Sequence, residues 1–219
     1  MKLFRTILGV GVAGIAASAY ANTSFFVAPS FRGGPYAYFA GWETFATPVG
    51  APGNHGYLAG STTQATLTQL DPLASITGTG NLYNQNGVSS FELKYSNDAV
   101  NKIDTVVLQV RSVGNELNYD SFRLEFDATS LAGTRTELER TPFGGPPGTP
   151  GSGVSVTSSY TWKLQETPNS PLTIKFTAAD ISVSFDAAHL DIQTVPEPST
   201  WALLGLGASA LVVLQRRRR

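Results

Sequence analysis

The chain has 219 residues, of which 42% are hydrophobic and only 14% charged, with 22 Gly, 13 Pro, 12 Phe, 8 Tyr and 3 Trp. That length holds one ordinary domain plus appendages, and the aromatic content excludes a disordered chain. The net charge of −1 hides an uneven distribution. Residues 22–195 carry nine basic and fifteen acidic side chains, a balance of −6, which excludes a phosphate-binding face and nucleic acid as a partner. Cysteine is absent, which excludes disulfides, thiol catalysis and thiolate metal sites.

In chain order, Lys2 and Arg5 precede an apolar run, Ile7–Ala17, and then the small-x-small site Ala19-Tyr20-Ala21. Eleven helical residues span roughly 16 Å, too little for a hydrocarbon core of about 30 Å. Residues 1–21 are therefore expected to be a secretory signal peptide cleaved after Ala21. Next comes "YAYFAGWETF", inside a region from Phe25 to Tyr57 that is dense in aromatics. Extended backbone puts Tyr36, Tyr38 and Trp42 on one face, a row that can stack on sugar rings, and Phe39 and Phe45 on the other. Strand aromatics also serve as core, and that is the competing reading.

Alternation then recurs. "SFELKYS" aligns Phe91, Leu93 and Tyr95; "IDTVVLQVR" aligns Val106, Leu108 and Val110; "FRLEF" aligns Phe122, Leu124 and Phe126. "VSVTSSYTWKL" aligns Tyr160, Trp162 and Leu164, and "PLTIKF" and "ISVSF" keep the same period of two. Six or more short strands separated by Gly, Asn and Pro predict an all-β fold over residues 22–195, a single antiparallel β-sandwich or jelly-roll-like domain. Thr47–Thr62 and the Gly/Pro-rich Pro142–Gly153 read as long surface loops within it.

After Val195 the chain reads Pro196-Glu197-Pro198, then fourteen residues without charge, Trp201–Leu214, then Arg216, Arg217, Arg218 and Arg219. As a helix the run spans roughly 21 Å, workable for a bilayer with thinning and arginine snorkelling. Trp201, Leu203, Leu204, Leu206, Leu211, Val212, Val213 and Leu214 would form a single transmembrane anchor, with the arginines held on the cytoplasmic side. The tripeptide, the apolar run and the arginine cluster, in that order over residues 196–219, resemble the PEP-CTERM sorting segment of exported proteins in exopolysaccharide-making, Gram-negative-type bacteria. The resemblance implies recognition by an exosortase, a membrane transpeptidase-like enzyme, with cleavage near Pro196-Glu197-Pro198. It also implies passage through the inner membrane to the cell surface or extracellular matrix, so that the membrane is a transient partner. Two prolines disfavour helix and strand pairing and are expected to keep the tripeptide extended and accessible.

Catalytic chemistry finds little material. His55 sits in a Gly/Pro loop, His189 reads as the end of a strand or turn, and no metal or phosphate-loop motif is present. Glu125 with Asp127, and Glu137 with Glu139, are carboxylate pairs at strand spacing, but neighbours on one face point together into solvent rather than across a sugar. The expectation is an exported, non-enzymatic protein of the cell surface or exopolysaccharide matrix, structural or adhesive, with no cofactor and no metal. The alternative is a carbohydrate-binding module using Tyr36, Tyr38 and Trp42. A glycan-active enzyme ranks behind both.

Overall fold

The computed structural model describes residues 25–47, 54–55, 58, 60–96, 101–146, 149, 151–166, 168, 170–196, 206 and 215. Among these, period-two segments become antiparallel strands. In chain order they are β1 (Ala37–Trp42), β2 (Asn54–His55), β3 (Ala65–Gln69), β4 (Ser75–Ile76), β5 (Leu82–Tyr83), β6 (Ser90–Tyr95) and β7 (Asn101–Gly114). After a 3-10 turn at Tyr119–Ser121 follow β8 (Arg123–Phe126), β9 (Thr129–Ala132), β10 (Thr134–Phe143), β11 (Gly153–Glu166), β12 (Leu172–Thr177) and β13 (Val183–Pro196).

Two sheets result. The first has the order β10-β11-β7-β13-β5-β4, with β1 also paired to β13; the second runs β2-β3-β6-β12-β8-β9. One hydrophobic cluster fills the space between them, drawing Val106, Leu108 and Val110 from the first sheet and Phe91, Leu93, Leu124 and Ile174 from the second. An aromatic stack crosses this core. Phe91 lies 4.9 Å from Phe176, Phe176 4.5 Å from Phe122, and Phe122 3.6 Å from Tyr160, all near-parallel. Such rings supply large buried area and fix the spacing of the sheets.

The strands anticipated around Phe91, Val106, Leu124, Trp162 and Ile174 are all present with the expected faces inward. The Gly/Pro-rich segment is the connection of the β10–β11 hairpin, shortened by one residue or two at each end because β10 runs to Phe143 and β11 starts at Gly153. Three expectations are corrected. Ile181 is 45% exposed in a turn, and the strand starts only at Val183. His189 does not end a strand; it lies in the middle of β13, opposite Gln109 on one side and Gly41 on the other. Pro196 does not stop pairing either, since it is the last residue of β13 with Asn101 as its register partner. A strand terminus tolerates Pro, because only one side of the ladder must continue past it.

β7 and β13 form the spine of the first sheet, paired from Val183–Gly114 at one end to Pro196–Asn101 at the other. Both are buried on two faces. The second face is covered by a strap, residues 25–35, which crosses the sheet without joining it.

Candidate functional site

The strap is held by side chains that reach up from the spine. Gln109 on β7 accepts from the Val27 N–H at 2.8 Å and donates to the Val27 carbonyl at 2.7 Å, serving an exposed backbone as a strand neighbour would. Arg111 lies 3.7 Å over the Phe25 ring and pairs with Asp186. Arg32 grips Asp191 through two bonds of 2.6 Å, with side chains only 5% and 0% exposed, and its guanidinium stacks 4.2 Å above Phe39. His189 sits between Phe26 (4.1 Å) and Phe39 (5.2 Å).

Burial, reinforced by the Arg32 charge, pushes the His189 imidazole down to about 3, so the ring is neutral even with Glu43 Oε1 3.6 Å from its Nε2. Burial raises the Asp191 carboxyl, and the two Arg32 bonds counter it only in part. A pair this dry holds position rather than exchanging protons with a substrate. The strap returns to the sheet through Gly33 and Tyr36, both with φ in the left-handed region (78° and 62°), where Gly is at ease and Tyr is strained.

A second polar cluster lies on the open side of the sandwich, where the edge strand β10 faces the 115–121 turn. Arg140 donates to both Glu116 oxygens (2.7 and 2.8 Å) and to both Glu137 oxygens (3.0 Å). Arg135 bonds Glu137 at 2.9 Å and Ser158 at 3.1 Å and lies 3.6 Å over the Tyr119 ring. The Tyr119 hydroxyl donates to Glu116. The Arg140 bonds bring the Glu116 carboxyl down to about 2, and burial together with the Glu116 bond raises the Tyr119 phenol to about 12. Neither group is set to titrate near neutrality.

Two clefts flank this cluster. One, of about 430 Å³, lies at the Gly114 end of the spine between Glu116, Arg140, Pro142 and Ser152. The other, of about 610 Å³, opens beside Tyr119, Asp120, Arg123, Gly133 and Arg135. Gly133 packs directly on the Trp162 ring, which a Cβ there would meet at 2.7 Å.

The residues singled out from the sequence are placed differently. Trp42 is fully buried in the core and Tyr38 packs against that core, while Tyr36 is 46% exposed. The three do not share a surface, because β1 pairs with β13 and turns its even-numbered face to the second sheet. Phe45 also belongs to the core, having left the strand after Trp42. Glu125 is paired with Lys175 at 2.6 Å, and Asp127 has left β8 for a left-handed turn (φ 48°), so the two carboxylates do not act together. Glu137 and Glu139 are separated by a bulge; the first is tied to arginines and the second accepts from Thr141. His55 lies in β2. Among the described residues no group of three His, Asp or Glu could hold a metal ion.

Ala19, Ala21, Glu197, Pro198, Trp201, Leu203, Leu204, Leu211, Val212, Val213, Leu214 and Arg216, Arg217, Arg218 and Arg219 lie outside the described residues. Leu206 is helical and exposed, and no helix among the described residues is long and apolar enough to cross a membrane.

Sequence reasoning missed both polar clusters. The strap has no periodicity, and Arg32 and Asp191 are 159 residues apart. The 118–121 turn left a readable trace, since Asn118 caps it by accepting from the Asp120 N–H at 3.2 Å.

No curated protein and no solved structure matches the chain. The match that was found begins inside β13, at Thr194, whose N–H and hydroxyl both bond the Tyr36 carbonyl. Residues 194–219 match the PEP-CTERM protein-sorting motif, the exosortase recognition signal, so the chain carries the address of an exported, exosortase-sorted protein.

Proposed function

We propose that this protein is a non-enzymatic structural or adhesive component of the cell surface or exopolysaccharide matrix of a Gram-negative-type bacterium. The sorting match over residues 194–219 carries this reading, joined without a spacer to the central strand of a rigid sandwich. The residues Trp201 to Leu214 would hold the chain in the inner membrane while an exosortase acts near Pro196-Glu197-Pro198. The sandwich itself supports a durable role, because its core is continuous and the surface carboxylates of Glu116, Glu125 and Glu137 are held in ion pairs.

Replacing Pro196, Glu197 and Pro198 by alanine tests the sorting step. Unprocessed protein is expected to accumulate in the inner-membrane fraction, read by immunoblot of separated membranes. Normal processing and surface delivery of that variant would overturn the assignment.

The second reading is a carbohydrate-binding module. One observation favours it: a cleft with the aromatic Tyr119, the acid Asp120 and Arg123, which has no acid partner among the described residues, lies away from the aromatic row expected from the sequence.

A further inference from the structure

We infer that the cleft beside Tyr119 is a binding site for a short saccharide bearing a carboxylate, that is, a uronic-acid unit. The inference rests on the proposed location of the protein outside the cell, but its chemistry comes from the cleft itself. At about 610 Å³ the space falls in the usual range for small-molecule sites.

The lining carries two guanidinium groups, those of Arg123 and Arg135. Arg123 is exposed at the start of β8, its cross-strand neighbours are Lys175 and Ala132, and it has no carboxylate partner among the described residues. In a body with a net charge of −6, a guanidinium left without an acid is unusual. Its planar fork matches a carboxylate through two parallel bonds. Arg135 is fixed in place by Ser158, Glu137 and the Tyr119 ring, so it borders the cleft without having to be ordered on binding.

Behind this wall, the Tyr160 hydroxyl is fully buried and meets no acceptor among the described residues. Its cross-strand neighbour, Arg135, offers only donors, so it cannot supply one. Acceptors in the cleft are fewer. Asp120 is exposed at the turn, and its carboxylate is placed to accept from a hydroxyl. Arg123 without an acid among the described residues, beside the exposed Asp120, favours a ligand that combines a carboxylate with hydroxyls. A neutral sugar would leave Arg123 unmatched, and an apolar ligand would bury it.

The sandwich is acidic overall, so a long polyanion is repelled at a distance and gains only at this spot. Short oligouronides are therefore the fitting class. The full-length chain in detergent micelles, titrated calorimetrically with trigalacturonate and with neutral maltotriose, tests the inference. Trigalacturonate is expected to bind about tenfold or more tightly than maltotriose, and Arg123→Gln to lose about tenfold or more of that affinity. Arg123→Lys should recover part of it, since a point charge replaces a fork. The variants change an exposed side chain, so an unaltered melting temperature verifies the fold. Equal binding of the two sugars, no binding of trigalacturonate, or an Arg123→Gln variant that binds as the parent does would each overturn the site. None of these outcomes touches the membrane-fraction assay above, so failure of the cleft and failure of the sorting assignment are distinguishable.

Discussion

Arg32 and Arg140 both grip carboxylates through several charge-assisted bonds, but their side chains are 5% and 38% exposed. Under the strap, Arg32 and Asp191 have lost their water and depend on each other. On the open side, Arg140 shares two acids with solvent close at hand. The same chemistry thus locks one region and merely organises the other. Removing one partner of a dry pair strands a buried charge, whereas removing one partner of a wet pair returns its mate to water.

Substitution of Arg32 tests the dry half of that contrast and carries the largest expected effect. Arg32→Ala should cost about 3–5 kcal/mol in urea unfolding, because Asp191 then stays buried and unpaired. Changing both residues together to leucine should recover most of that loss. If the double variant is as unstable as the single one, packing of the strap rather than stranded charge is the cause.

Acid titration separates the strap's neutral member from its charged ones. The folded protein keeps His189 unprotonated down to about 3, while the unfolded chain binds that proton from about 6.5 downward. The unfolded state therefore holds more protons between these values. Stability is fully present above about pH 6.5 and falls as pH drops towards 3, by on the order of a few kcal/mol. Asp191 runs the opposite way, since burial raises its carboxyl and protonation relieves the desolvated charge. His189→Phe isolates the histidine: its urea midpoint should vary less across pH 4–6.5 than that of the parent. Equal slopes would show that His189 is not the acid-sensitive group.

The smallest effect belongs to the wet cluster. Arg140→Ala is expected to cost less than about 1 kcal/mol at low salt, and less again at high ionic strength. A loss as large as that of Arg32→Ala would erase the distinction between the two regions.

The same contrast explains what could be read from the residues alone. Alternation marks strands with one dry face and one wet face, as in Leu124 and Phe126 of β8 and Phe122 just before it. β13 defeats that rule from Ala187 to Ile192, where every residue is buried because the strap dries the second face. "DAAHLDI" then breaks the alternation, and His189 reads as the end of a strand or turn. Tyr36, Tyr38 and Trp42 show the complementary limit. Their spacing on a strand was legible, but which sheet face would be covered depends on β13, about 150 residues further on. The cleft beside Tyr119 was illegible for the same reason, as it joins a turn, β8 and the far end of a hairpin.

β13 ends at Pro196, two residues into the matched sorting motif, and Trp201 follows five residues later. Fully stretched, that interval covers at most about 18 Å. If Trp201 marks the membrane boundary, as proposed, the leash is far shorter than the sandwich, whose spine extends roughly 43 Å from Asn101 to Gly114. On that proposal, the body would stay close to the membrane before processing. It would stand on its Asn101 end, because β13 finishes there.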